Sequence, residues 1–491
     1  MRELLKATLK TGSGAMGSLL LGMVSVKVLA VILGPSGIGL YSLLRQIADF
    51  SNRFGTLGGE TALVQGLASR KDQARDEYLV TTFWVFVLGA LLITVALLAF
   101  APWVASGVLG RSDEQAIGLV RWLALPGALG VASIYLNGVL NGFRAIGLMA
   151  LLQILGAAAM ALLAYPVSRL VEVGYPTAFV AMISAPPAVA VTLGIWSALR
   201  VGWLAPLLRS IRIKFHPSSL RHFFFMSATL FFLELADIGT ILVVRSLVVR
   251  YEGFASAGIF AVAWAVGMTY IGLILASFGT YYLPTLSQTS DSLGRTVLMQ
   301  QVVRLAILLM VPLVIGVIVL KPLAIEILYS VEFTPSLEIL RWMLIGDYFK
   351  VASWALAMPA LAYADMRAYF WTELLWNVGF IACTALSLFG YNSLQGIGVG
   401  FLVMYALYGA YFLYYVRSRY QFPLHRAVIG PWLVGLALII GASEHTWSDT
   451  QIDWFAVPLW IGLALGFSWL FLNQNERRQA MQWLLRRKEA L

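Results

Sequence analysis

Apolar segments of roughly twenty residues follow one another along the whole chain, separated by short polar loops. A segment of that length lets a helix cross about 30 Å of hydrocarbon. Because every backbone polar group in lipid must be satisfied within its own segment, we expect an all-α bundle. The pattern predicts fourteen membrane-spanning helices, near 11–33, 37–57, 78–100, 117–140, 148–170, 177–199, 221–249, 257–279, 298–320, 338–362, 369–389, 396–416, 427–442 and 454–472.

The composition is that of a protein whose solvent is lipid. Hydrophobic residues make up 60% of the chain and charged residues 12%, whereas about 25% of the residues in soluble domains are charged. Lys27 interrupts the first apolar run, which has no clear cleavage site, so we expect a retained helix. The single cysteine, Cys383, cannot form an intrachain disulfide. No His/Cys/carboxylate cluster has metal-ligand spacing, and the sequence therefore predicts no metal or cofactor.

The basic residues are concentrated in alternate loops. With the N-terminus placed inside, the inner loops and tails hold 22 lysines and arginines and the outer loops hold three, Arg111, Arg250 and Lys321. Cytoplasmic loops carry an excess of Lys and Arg, so we expect a multi-pass protein of the bacterial inner membrane with both termini in the cytoplasm. This distribution explains the net charge of +10 without nucleic acid as a partner.

Short sequence matches recur at a nearly constant spacing of about 220 residues, which indicates an internal repeat. The matches are Arg121-Trp122 with Arg341-Trp342, Val131–Ser133 with Val351–Ser353, Pro102 with Pro322 and, one position closer together, Gly39–Tyr41 with Gly258–Phe260. An even number of spans in each half gives both halves the same orientation, as in parallel-repeat transporters. The predicted domains are an N-lobe (1–199), a basic cytoplasmic loop (200–220), a C-lobe (221–416), two extra helices (417–472) and an amphipathic cytoplasmic tail (473–491).

Charged residues inside spans are costly and usually face a bundle interior or water. The second span carries Arg45, Asp49 and Arg53 at steps of four, which places them on one helix face. We interpret five cations as the lining of a lumen that neutralises an anionic head group: Lys27, Arg45, Arg53, Arg245 and Lys350. The alternative is a set of buried salt bridges. Three further arginines, Arg121, Arg169 and Arg341, lie near outer span ends, where snorkelling explains them.

Several acidic residues also lie within spans. Glu234 and Asp237 are one turn apart near mid-membrane, where burial and mutual repulsion favour proton exchange or Na⁺ binding. The alternative is that they act as counter-ions for lumen cations. The set of possible coupling or counter-ion residues is Asp49, Glu234, Asp237, Asp347 and Glu373.

Stretches scattered in order over residues 1–416 resemble the Wzx-type flippases of O-antigen and enterobacterial common antigen. These flippases belong to the multidrug/oligosaccharidyl-lipid/polysaccharide (MOP) exporter superfamily. The stretches are Val28–Leu44, Gly142–Arg144, Ala276–Ser287, Gly346–Val351 and Met366–Tyr369 with Glu373. The resemblance implies a MATE-like fold of two six-helix lobes, alternating access, and a cationic lumen for an undecaprenyl-diphosphate-linked oligosaccharide.

The positions that match relatives are Lys27, Arg45, Arg144, Arg245, Asp347, Lys350, Arg367 and Glu373. Arg144 and Arg367 fall at the cytoplasmic mouth, where they receive the diphosphate or simply obey the positive-inside rule. Glu234 and Asp237 depart from the family pattern. The two extra helices depart from a twelve-helix plan; lipid II flippases of the same superfamily carry such a pair, which leaves that substrate open.

The leading hypothesis is therefore a transporter, not an enzyme, that moves a polyprenyl-diphosphate oligosaccharide to the periplasmic leaflet. Membrane lipids surround it, and a polysaccharide polymerase and chain-length regulator are the expected partners. The alternatives are a lipid II-type flippase and a MATE-like exporter of small molecules, whose usual cationic substrates such a lumen would repel. A membrane-bound glycosyltransferase is disfavoured because the longest loops reach only about twenty residues.

Overall fold

The computed structural model describes residues 2–209, 216–289, 291–363, 365–423, 426–447, 450–474 and 476–478, and this described part is helical without any strand. The first half of the chain contains α1 (Arg2–Thr56), α2 (Glu60–Ser69), α3 (Asp72–Ala99), α4 (Ala101–Val108), α5 (Glu114–Trp122), α6 (Ala124–Gly142), α7 (Ile146–Glu172), α8 (Ala178–Val201) and α9 (Ala205–Arg209). The second half contains α10 (Pro217–Gln288), α11 (Ser292–Leu328), α12 (Ser336–Ala362), α13 (Met366–Ala385), α14 (Gln395–Tyr420), α15 (Arg426–His445) and α16 (Ala456–Phe471). A 3₁₀ turn (Val331–Phe333) precedes α12, and a π-helical turn (Leu386–Gly390) extends α13.

The predicted all-α membrane fold is confirmed. Within the described residues, nine helical stretches are long and apolar enough to cross a membrane, and α16 is a shorter apolar helix. Apart from Leu123 and a residue or two at some ends, every predicted span coincides with helix. Three short helices, α2, α4 and α9, lie in segments that the hydropathy pattern assigns to loops.

Two of the helices each contain two predicted spans joined at a glycine. The backbone breaks at Gly34 (φ 59°, ψ −164°) in α1 and at Gly253 (φ 86°, ψ 177°) in α10. Only glycine adopts such angles without strain, because it has no Cβ. The interval between the two glycines is the same one that relates Gly39–Tyr41 to Gly258–Phe260. The breaks therefore occupy equivalent positions in the predicted repeat.

The helices that follow these two breaks cross with their backbones in contact. A Cβ built on Gly39 would lie 1.9 Å from the carbonyl oxygen of Phe254, and one built on Gly258 would lie 2.0 Å from that of Pro35. Phe254 and Gly258 are the repeat equivalents of Pro35 and Gly39. The two contacts are therefore equivalent, and each helix makes the same contact with the other. Any side chain at either glycine would force the helices apart.

The chain divides into two compact units. Unit 1 comprises Met1–Ala261 with Leu328–Glu332, and unit 2 comprises Val262–Ile327 with Phe333–Leu491. In unit 1, α1 packs on α6 and α7, and α8 packs on both of these; in unit 2, α12 packs along α14. This partition is distinct from the lobes 1–199 and 221–416, which stay a prediction. Positions 210–215 of the predicted basic loop and 479–491 of the predicted amphipathic tail lie outside the described residues.

The C-terminal end of the ninth span differs from its prediction. Lys321 and Pro322 lie inside α11, which continues to Leu328, rather than in a loop after it. Lys321 is 1% exposed, and its Nζ donates hydrogen bonds to the carbonyl oxygen and Oγ1 of Thr446 at 3.0 and 3.3 Å. The ammonium group is buried because oxygen atoms at the end of α15 replace its water.

Candidate functional site

Arg45, Asp49 and Arg53 lie on one face of α1, as their spacing predicts. Arg45 Nε lies 3.9 Å from Asp49 Oδ2, one helical turn away, and both side chains are about half exposed, at 54% and 53%. Ionised groups within an apolar bundle need water or a partner. Arg45 and Asp49 have both, because they line a cavity together with Arg53.

That cavity lies wholly within unit 1 and has a volume of about 720 Å³. It is bounded mainly by α1, α6, α7 and α8. Amide and hydroxyl side chains also line it: Gln46, Asn52, Ser133, Asn137 and Gln153. None of these five is among the predicted site residues, although Ser133 and Asn137 lie one turn apart in an otherwise apolar span. That i, i+4 spacing of polar residues is the signal that could have found them.

Arg53 is held by two carboxylates. Its NH1 lies 3.2 Å from Glu234 Oε2 and 3.5 Å from Glu60 Oε2. Arg53 and Glu234 are each exposed by more than a third of their side chain, at 34% and 39%. This geometry is the one expected if Glu234 is a counter-ion for a lumen cation.

We expect the Arg53–Glu234 ion pair to contribute a modest coupling energy. A double-mutant cycle with Arg53→Gln and Glu234→Gln should give about 0.5–1 kcal/mol, because solvent screens a partly exposed pair. Thermal or denaturant unfolding of the purified protein measures it. The matched cycle with Glu60→Gln should give a smaller value, since that contact is longer. Equal coupling in both cycles would contradict this assignment.

Two of the five predicted lumen cations lie in unit 1 without lining the cavity. Lys27 Nζ donates to the carbonyl oxygen of Tyr329, and Arg245 NH1 donates to the carbonyl oxygen of Ser42 at 2.9 Å. Arg245 Nε is buried and finds no hydrogen-bond acceptor among the described residues. Asp237 is exposed one turn beyond Glu234.

The fifth predicted cation, Lys350, belongs to unit 2. Its Nζ lies 3.2 Å from Met268 Sδ, and 5.6 and 5.2 Å from the ring centroids of Phe401 and Tyr405, which is within cation–π range. One turn earlier on α12, the fully buried Asp347 accepts a hydrogen bond of 2.5 Å from the Tyr270 hydroxyl. Asp347 Oδ1 has no donor in the described part of the chain.

The structure also describes the remaining predicted site residues. In unit 2, Glu373 Oε1 accepts a 2.6 Å hydrogen bond from the Tyr408 hydroxyl. Arg367 is exposed in the first turn of α13, and in unit 1 Arg144 is exposed in the turn after α6, with φ 57°. The described residues contain no group of three or more His, Cys, Asp or Glu side chains that could hold a metal ion.

The N-terminus of α13 is capped just before Arg367. Asp365 accepts hydrogen bonds from the Tyr415 hydroxyl at 2.7 Å and from the backbone N–H of Ala368 at 3.3 Å. These two hydrogen bonds, the first more than the second, lower the pKa of the Asp365 carboxyl. The cap also fixes the helix end on which Arg367 stands.

Glycine-broken helices and a charged, water-accessible cavity inside an apolar bundle are features of a membrane transporter. Solved structures identify the fold as that of the MOP superfamily. The lipid II flippase MurJ in an inward closed conformation superposes with a TM-score of 0.72 at 15% identity, covering 95% of this chain and 98% of that one. An inward-facing multidrug resistance MATE family transporter gives a TM-score of 0.66 at 13% identity, covering 82% of this chain and 94% of that one.

Sequence comparison identifies the family. The model described as polysaccharide biosynthesis protein matches residues 28–338, and the chain belongs to this family. The Lipid III flippase of Escherichia coli (strain K12) is 28% identical over 389 residues, which is 76% of this chain and 88% of that protein. The predicted MATE-like fold is thus confirmed, whereas the MOP superfamily and the O-antigen type of Wzx stay predictions.

Proposed function

We propose that the protein is a flippase that moves an undecaprenyl-diphosphate-linked oligosaccharide from the cytoplasmic to the periplasmic leaflet of the inner membrane. The product would serve the synthesis of O-antigen or a related surface polysaccharide. The observation that carries the proposal is the cavity of about 720 Å³ lined by Arg45 and Arg53. The family and the lipid III and lipid II flippases among its relatives support the same substrate class.

The chemistry of the cavity suits both parts of such a head group. Guanidinium groups bind phosphate oxygens in bidentate fashion, so Arg45 and Arg53 would hold the diphosphate. The amides of Asn52, Asn137 and Gln153 would exchange hydrogen bonds with sugar hydroxyls. The polyprenyl tail would stay in lipid, since nothing favours its entry into a polar cavity.

The carboxylates beside these arginines supply a reason for release as well as binding. Asp49 and Glu234 neutralise Arg45 and Arg53, and an entering diphosphate would compete with these carboxylates. A ligand shifts a conformational equilibrium only by its difference in affinity for the two states. Rocking that restores the internal ion pairs would therefore expel the head group, with no covalent step.

We include Na⁺ or H⁺ coupling in the proposal as the source of directionality. Glu234 and Asp237 in unit 1, and Asp347 and Glu373 in unit 2, are the carboxylates on which either ion would act. The alternative is that a polymerase and its chain-length regulator consume the product on the far side and so drive transport. A requirement for an ion gradient in proteoliposomes distinguishes these two sources.

Two other substrates have specific support. The lipid II flippase fold extends over nearly the whole chain, which favours a lipid II-type substrate as the second candidate. The MATE fold favours a small-molecule exporter, but the arginines of the cavity would repel the cations that such exporters usually carry.

We expect binding of undecaprenyl-diphosphate oligosaccharide to depend on Arg45. Native mass spectrometry of the purified protein should show binding that Arg45→Ala weakens about 100-fold, the loss expected for a charge-assisted bond in a confined site. Arg245→Ala should weaken it less, because Arg245 does not line the cavity. Arg121→Ala is the matched control, since Arg121 is 47% exposed and bonded to Glu114 outside the cavity.

Three ligands identify the substrate class in the same experiment. Lipid II, an O-antigen precursor and a quaternary ammonium compound are compared at equal concentration. Preference for either diphosphate lipid supports a flippase and selects between the two substrates. Preference for the ammonium compound, or equal binding by wild type and Arg45→Ala, would refute the cationic cavity as the binding site.

A further inference from the structure

Arg341 in unit 2 is an arginine in an unusual environment. Arg341, in the first turns of α12, is 8% exposed, and its guanidinium lies 4.3 Å from the ring centroid of Trp447. It forms no hydrogen bond or ion pair with a described residue, and its Nε is fully buried. A guanidinium has five N–H donors, and burying even one of them without an acceptor is costly.

The repeat supplies an internal comparison, because Arg121-Trp122 occupies the position equivalent to Arg341-Trp342. Arg121 is 47% exposed and pairs with Glu114, and Trp122 is 60% exposed, as expected for residues that snorkel to an interface. The sequence predicts the same for Arg341, and that prediction is wrong. Trp447, which follows α15, covers Arg341 and also packs edge-on against Trp342 with centroids 5.3 Å apart.

Arg341 faces a polar cavity of about 440 Å³. Glu338, one turn earlier on α12, lines the same cavity with an exposed side chain, as do Gln395, Thr450 and the Trp447 ring. The Arg341 guanidinium and the Glu338 carboxylate thus line the same cavity without forming an ion pair with each other. Such a cavity complements a ligand that itself carries both charges.

An apolar cavity of about 560 Å³ adjoins the polar one, and Gln395 lines both. Leu386, Val399 and Val403 form its wall beside Trp342. Leu386 opens the π-helical turn that ends α13, an irregularity that often marks functional sites. Leu386 and Val403 are 60% and 43% exposed. Because both lie in predicted membrane spans, an acyl chain could enter this cavity directly from the bilayer.

We propose that these two cavities form one binding site for a zwitterionic phospholipid of the phosphatidylethanolamine type. Arg341 binds the phosphate, Glu338 receives the ammonium group, and the apolar cavity holds an acyl chain. The predicted orientation places this end of α12 on the periplasmic side, so the ligand comes from the outer leaflet. The site shares no lining residue with the proposed transport cavity, and Trp447, just after α15, completes it. On this proposal, one role of the extra helix pair is to help bind a phospholipid.

Native mass spectrometry with phosphatidylethanolamine and phosphatidylglycerol of identical acyl chains tests the proposal. We expect wild type to bind the ethanolamine lipid about tenfold more tightly, because only that lipid offers an ammonium group to Glu338. Glu338→Gln should remove this preference and still fold, since the side chain is exposed. Arg341→Gln should weaken both lipids about tenfold through loss of the phosphate contact, whereas the equivalent Arg121→Gln should change neither. Val399→Trp should exclude both by filling the apolar cavity.

The contrary results are equally definite. Equal binding of the two phospholipids by wild type, or a preference that survives Glu338→Gln, would overturn the assignment of the head group. Displacement of the phospholipid by an equimolar polyprenyl diphosphate would show a second site for the transport substrate instead. If Arg341→Gln and Val399→Trp lose phospholipid binding but bind the oligosaccharide lipid as wild type does, this site is distinct from the proposed transport cavity.

Discussion

Exchanging the charges in the double variant Arg45→Glu/Asp49→Arg is expected to reduce translocation of a lipid-linked oligosaccharide about 100-fold while the protein folds normally. The exchange retains an ion pair one turn apart on α1, which contributes little to stability at about half exposure. It moves the cation by about 6 Å along the cavity wall. Because diphosphate binding depends on the position of the guanidinium, the retained pair does not restore function.

Proteoliposomes that contain the oligosaccharide lipid measure this effect as the fraction of lipid reaching the opposite leaflet. The matched control is the exchange Arg121→Glu/Glu114→Arg, which reverses an exposed ion pair outside the cavity and should leave translocation unchanged. Wild-type translocation by the Arg45/Asp49 exchange would mean that the two residues only stabilise their helix. In that case the cationic lumen would have to be abandoned.

Replacing Gly39 with alanine is expected to destabilise the protein by about 2–3 kcal/mol, as in an overpacked core. The new Cβ would lie 1.9 Å from the Phe254 carbonyl oxygen. Gly258→Ala should cost a similar amount, because its Cβ would lie 2.0 Å from the Pro35 oxygen. The double variant should cost clearly less than the sum, since helices that have separated once accommodate both methyl groups.

The unfolding midpoint of the purified protein reports these changes. Gly22→Ala is the matched control: its Cβ meets no atom within 4 Å, and alanine has the higher helix propensity, by up to about 1 kcal/mol. The control should therefore be neutral or stabilising. Strictly additive costs, or a loss for Gly39→Ala no larger than that of an ordinary surface substitution, would show that the crossing is looser than the backbone contacts indicate.

The helices and one face of the site were predictable because both depend on local periodicity. The apolar runs end near residue 33 and resume at residue 37, and the backbone indeed breaks at Gly34. The steps of four from Arg45 to Arg53 place those side chains on one face of any helix. In contrast, the pattern assigns Lys321 to a loop because hydropathy alone does not show that Thr446 is there to receive its ammonium group.

Partners distant in sequence were beyond prediction. The contact between Arg53 and Glu234 joins positions 181 residues apart, and periodicity tells which side of its own helix a residue occupies, not which residue it meets. The same reason explains the wrong prediction for Arg341. Its position near a span end matches that of Arg121, and only the path of the chain after α15 brings Trp447 over it.

The crossing of Gly39 and Gly258 has the geometry of an isologous interface. Each side contributes the same backbone elements, a carbonyl oxygen one residue after a glycine break and a glycine four residues further on. That reciprocity is the symmetry condition for a two-fold dimer of identical chains. A half-length protein that dimerised in this way would make the same contact before its gene was duplicated and fused and afterwards, without any substitution. The crossing in this single chain is accordingly the internal counterpart of a homodimer interface, and it requires glycine at both equivalent positions.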